Sequence, residues 1–133
     1  YNTQDIALTK EYDKQEGNPV LNYLRDSDAD IICLQEFNPS AKVKQKEIDR
    51  ALACYPYHVR VKGEGPGRLA CYSRYPILSA ETIDYKTESN ASILYRLKFG
   101  NDTLVLINNH LESNKLDAHD KNVYNDILKS PRE

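Results

Sequence analysis

Four apolar residues stand unbroken at positions 31–34, Ile-Ile-Cys-Leu, and Gln35 and Glu36 follow at once. A strand wetted on one side alternates apolar and polar residues. This run does not, so it must be covered on both faces. A lone hairpin or a one-sided sheet cannot do that, and the chain is therefore expected to build a layered domain around this strand. The change to an amide and a carboxylate raises a second question. A carboxylate leaving a buried strand is costly unless it is paired, hydrogen-bonded or bound to a metal. Taken alone, the stretch suits an ion pair or a helix cap as well as a metal ligand.

The flanking segments supply the layers. Asn18-Pro19 is a helix start, with Asn as N-cap and Pro at the first helical position, and Val20, Leu21 and Leu24 then share one face. "RDSDAD" ends that helix before the apolar strand. A second helix is expected after "FNPS", where Val43, Glu47, Ile48, Ala51, Leu52 and Tyr55 recur near helical spacing. From Tyr55 the period falls to two, and "YHVRVK", "RLACYS" and "PILSAETIDY" read as strands. "SILYRLKF" and "TLVLINNHL" are joined through Gly100-Asn101-Asp102, a hairpin connection. A last helix is expected over residues 120–129. The pattern is α/β or α+β, in one domain of 133 residues.

Eighteen basic against 20 acidic residues give a net charge of -2, so no general basic field exists to coat nucleic acid. Mean hydropathy is -0.70, and no apolar run reaches membrane-spanning length. Cys33, Cys54 and Cys71 have neither zinc spacing nor an even count; they read as buried, reduced thiols and favour a cytoplasmic setting. "GEGPG" lacks the Lys-Ser/Thr of a phosphate-binding loop, and Ser73 has no nucleophile-elbow glycines around it. Lys42, Lys44 and Lys46 read as a solvated helix face rather than a phosphate patch.

Three segments in order, "ADIICLQEF" at 29–37, "GRLACYSRYPILS" at 67–79 and "LVLINNHLES" at 104–113, together resemble the endonuclease/exonuclease/phosphatase superfamily. Tyr1-Asn2 is similar to the end of that family's first strand. The resemblance implies a DNase I-like four-layer sandwich. It also implies that residues 1–133 are the N-terminal part of the domain, with one main mixed sheet and flanking helices. Complete members continue to a G-D-x-N segment and an S-D-H segment, neither of which occurs in these residues.

By the same resemblance, Glu36 is the metal-binding glutamate, for Mg²⁺ or Mn²⁺. A hard divalent cation takes carboxylate oxygen, water and substrate phosphate, which suits a carboxylate at a strand end. His110 is the histidine that donates to the scissile phosphate, a task for which imidazole is suited. Asn2 would orient the metal or the water. Arg74 is a candidate phosphate contact, with a turn-stabilising role as its alternative. Asn109 stands where the family has Thr and is given no role; His58 and His119 are read as structural.

The expected activity is metal-dependent hydrolysis of a phosphoester, with nucleic acid among the possible substrates. Without the water-activating segments, the 133 residues alone are expected to be inactive. The alternative is a non-catalytic half-domain acting as a binding module. A half-domain would also bare the inner face of its sheet, including Ile31, Cys33, Leu69, Cys71, Leu104 and Leu106, so a two-fold homodimer is expected.

Overall fold

The computed structural model describes residues 1–3, 16–39, 43–60, 68–83, 85 and 90–111. Among them the elements run α1 (Pro19–Asp26), β1 (Ile31–Leu34), α2 (Gln45–Ala51), β2 (Tyr57–Arg60), β3 (Ala70–Ser73), β4 (Ile77–Ile83), β5 (Ala91–Phe99) and β6 (Asp102–His110). The helix expected over 120–129 lies outside the described residues.

Helix α1 starts as its sequence requires. The Asn18 side chain accepts from Val20 N at 2.9 Å and Leu21 N at 3.2 Å, satisfying two amides that an opening turn leaves without partners. The helix stops where the Ser27 hydroxyl donates to Leu24 O, and Asp28 takes a positive φ of 56° that turns the chain into β1. Its apolar stripe, Leu21 and Leu24, packs with Ile48 and Leu52 of the α2 region against Ile32, Leu34 and Tyr72.

Two three-stranded sheets form, ordered β1-β3-β2 and β4-β5-β6, and every strand pairing within them is antiparallel. The expectation of one main mixed sheet is corrected here. Among the described residues the strands divide evenly, and the parallel component is the single bridge between Asn2 and Gln35. The reason lies at Pro76. After β3 the chain turns through Arg74, Tyr75 and Pro76, and Lys98 N then bonds to Pro76 O, so the next strand is committed to β5 rather than to β3.

β1 is covered on both faces, as its unbroken apolar run demands. Ile32 and Leu34 point to the helices, while Ile31 and Cys33 join Cys71, Leu69, Ile93, Tyr95 and Leu97 in a second core between the sheets. Truncating a fully buried Leu34 to Ala would cost about 2–5 kcal/mol. Of the inner face expected to be bare, Leu69 and Cys71 are buried between the sheets, and Ile31, Cys33 and Leu106 are packed against that core. Leu104 of the expected face is exposed, as are Leu78, Val105 and Ile107.

The β5–β6 turn is Gly100-Asn101, since Phe99 pairs with Asp102. Gly100 has φ 60°, which a two-residue hairpin accepts readily only from glycine at its first position. Cys33 and Cys71 face each other across β1 and β3 as free thiols, whereas Cys54 is exposed, contrary to the expectation that it is buried. Strand β2 does not alternate cleanly: Tyr57 and His58 are both exposed, because this edge strand has no third strand to cover it.

Candidate functional site

The pairing of β1 with β3 runs in register to Leu34 and Ala70, and beyond them Phe37 N bonds to Arg68 O. Gln35 and Glu36 are thus left opposite the single residue Leu69. The extra residue is a bulge, and Glu36 absorbs it with φ 51°. Left-handed backbone is uncommon for a long side chain and persists only where the surroundings over-determine it. Those surroundings are on hand. Thr3 N bonds to Gln35 O at 2.9 Å, Gln35 N bonds to Tyr1 O at 3.0 Å, and the Thr3 hydroxyl donates to Glu36 O at 2.8 Å.

The bulge re-aims Glu36 toward the end of β6. Its Oε1 lies 3.1 Å from His110 Nε2, and the Asn2 side-chain amide hydrogen bonds to the same carboxylate. Asn2 and His110 hold the Glu36 carboxyl below the ordinary carboxylate range, against a smaller desolvation effect in the other direction. With Glu36 ionised, Nε2 must carry the proton it shares with Oε1. His110 Nδ1 is buried and has no partner among the described residues. Side-chain exposure is 14% for His110 and 31% for Glu36, so the pair is half-buried but open to a ligand.

Asn2, Glu36 and His110, three candidates read from the sequence, are brought together. Arg74 is not. It sits beyond the opposite end of β1, donating to Asp28 at 3.0 Å and Asp30 at 3.1 Å, with its guanidinium over the Tyr55 ring. Six residues of nearly extended chain, roughly 15–20 Å, separate Asp30 from Glu36. The turn-stabilising alternative describes that arrangement. Asn109 points to the other face of β6, where it accepts from Ser92 Oγ. His58 stacks on Tyr72 with ring centroids 5.2 Å apart, and His119 lies outside the described residues.

One residue here escaped sequence reasoning. Asn108 is buried and accepts from Gln35 Nε2 at 2.6 Å, while its own amide donates to Leu34 O and Ala70 O. The available signal was its position two residues before His110, a polar side chain on a face of β6 shared with apolar Leu106.

Glu36 and Asn2 offer the hard oxygen donors that Mg²⁺ or Mn²⁺ takes, with room for water at a half-exposed carboxylate. Among the described residues no three His, Cys, Asp or Glu side chains form a closed cage. The residues fit a cation held by few protein ligands, of the kind Mg²⁺ accepts.

The sequence profile of the endonuclease/exonuclease/phosphatase family matches residues 1–129. The chain belongs to that family. Among solved structures it is similar to a zebrafish TDP2 humanized by 14 mutations, at 16% identity and a TM-score of 0.68, covering 96% of this chain and 52% of that one. A zebrafish TDP2 complexed with a single-strand DNA product matches at 20% identity and TM-score 0.54, over 82% and 46% of the two chains. A truncated Caenorhabditis elegans TDP2 matches at 16% and 0.58, over 84% and 49%. These likenesses show a shared DNase I-like fold. The chain spans about half the length of the solved chains it matches. No curated protein matches it significantly.

Proposed function

We propose that the protein carrying this chain is a Mg²⁺- or Mn²⁺-dependent hydrolase of phosphoester bonds, with Glu36 as metal ligand and His110 as phosphate-facing acid. One observation carries this reading. Within a span matched by the family, a bulged glutamate forced into left-handed backbone meets Asn2 and His110 at one corner. Strain held in place by surrounding bonds is characteristic of functional positions.

When bound, the cation would polarise the phosphate and stabilise charge on its oxygens. Glu36 and Asn2 would hold the cation, while the same carboxylate takes the His110 proton bond. Glu36 thereby fixes the imidazole, and a phosphoryl or departing ester oxygen would take over the Nε2–H that Glu36 accepts in the ligand-free pair. As water adds to phosphorus, the ester P–O bond breaks and a proton ends on the leaving oxygen.

No second carboxylate groups with Glu36 and His110 among the described residues. Single-stranded DNA is the first substrate to try, since a zebrafish structure of the same fold holds such a product. Hydrolysis of a single-stranded oligonucleotide and of a chromogenic phosphodiester, with Mg²⁺ and with a chelator, tests the proposal in the full-length protein. Turnover that stops on chelation is expected. Equal rates with and without chelator would refute metal dependence, and metal-dependent binding without turnover would establish the binding-module alternative.

A further inference from the structure

We propose that Asn108 and Gln35 form a positioning pair that sets the His110–Glu36 geometry; this rests on the function proposed above. Asn108 is 2% exposed on β6, in the second sheet, yet its side-chain bonds to Gln35, Leu34 and Ala70 reach across to the first. Its oxygen accepts from Gln35 Nε2 at 2.6 Å, and its nitrogen donates to Leu34 O at 3.0 Å and Ala70 O at 3.2 Å. Leu34 and Ala70 are the last in-register pair of β1 and β3, directly before the bulge. One buried amide therefore ties β6 to both strands at the point where the register slips.

The sequence neighbours explain why that matters. Gln35 directly precedes Glu36, and Asn108 lies two residues before His110, on the same face of β6. The two amides thus repeat, one step deeper, the contact that Glu36 and His110 make at the surface. Apolar packing between the sheets is non-directional and would tolerate sliding, whereas a one-residue slip of β6 would turn His110 to the opposite face. A buried amide forbids the slip, because displacing it would strand its donors and acceptor without water. Asn109 cannot substitute: it faces Ser92.

The test uses Asn108→Leu and Gln35→Leu in the full-length protein, with Arg74→Ala as control. Gln35 is only half-buried, so its variant keeps the question open if Asn108→Leu fails to fold. Both folded variants should lose about tenfold to a hundredfold in kcat with KM changed less than about twofold, the range seen for outer-shell partners. The double variant should be no worse than the poorer single one. The ¹⁵N resonances of the His110 imidazole, assigned by their loss in His110→Ala, should move in both variants and stay in place in Arg74→Ala. Unmoved resonances in folded Gln35→Leu and Asn108→Leu would overturn the positioning role. If wild type hydrolyses no phosphoester, the functional reading fails and the imidazole resonances still decide the positioning.

Discussion

The two ends of β1 start from the same backbone irregularity and come to opposite uses. Before the strand, Asp28 has φ 56°; after it, Glu36 has φ 51°. At Asp28 the short side chain tolerates left-handed backbone, and the acid simply pairs outward with Arg74. Asp28 and Asp30 are 90% and 58% exposed, and Arg74 answers both. Glutamate has no such local excuse. Its conformation is imposed by the bulge and by Thr3, and its partners include a histidine with an unsatisfied buried nitrogen. An ion-paired end with nothing left unsatisfied is a structural fastening. The end that keeps strain and unmet hydrogen-bonding capacity is the one equipped to meet a ligand.

His110→Ala should separate the two ends most sharply. Turnover in the full-length protein should fall about a hundredfold or more, as expected when a positioned acid is lost. Circular dichroism should show a folded variant; normal turnover would make the Glu36 end as structural as the other.

A pH comparison refines the contrast. The folded Glu36 carboxyl is depressed by Asn2 and His110, so its contribution to stability is fully present above its unfolded value, near 4.5. That contribution is lost as pH falls through the lower folded value. The difference in melting temperature between wild type and Glu36→Gln should be largest near neutrality and shrink as pH falls below the unfolded value. A difference independent of pH would mean that the bonds to the charged carboxylate add nothing.

Arg74→Ala should have the smallest effect. Exposed ion pairs are screened by water and salt, so a slight fall in thermal midpoint is expected, with turnover unchanged. A large loss of activity would return Arg74 to the site.

Local chemistry made much of this legible. The cap at Asn18, the two-faced burial of β1 and the turn at Gly100 each follow from a few adjacent residues. Glu36, His110 and Asn2 were visible as strand-end polar residues in family-like segments. The division into two sheets was not, because it depends on which strand Ile77–Ile83 chooses after the turn at Pro76. Nor was the Gln35–Asn108 contact, which joins residues 73 positions apart through packing that neither segment reveals alone. Arg74 misled in the opposite way. A cation in the family-like segment "SRYPI" suggests phosphate, and only the fold shows two aspartates waiting for it.

The most direct test of the Glu36 end is calorimetric titration of the full-length protein with Mn²⁺ and Mg²⁺, comparing wild type with Glu36→Gln. The substitution keeps the size of the side chain and its capacity to bond His110 while removing the charge. Affinity is expected to fall by about tenfold or more, since Mg²⁺-type cations lean on one or two carboxylates. Equal affinity in the two proteins would contradict the account and remove Glu36 from the metal site.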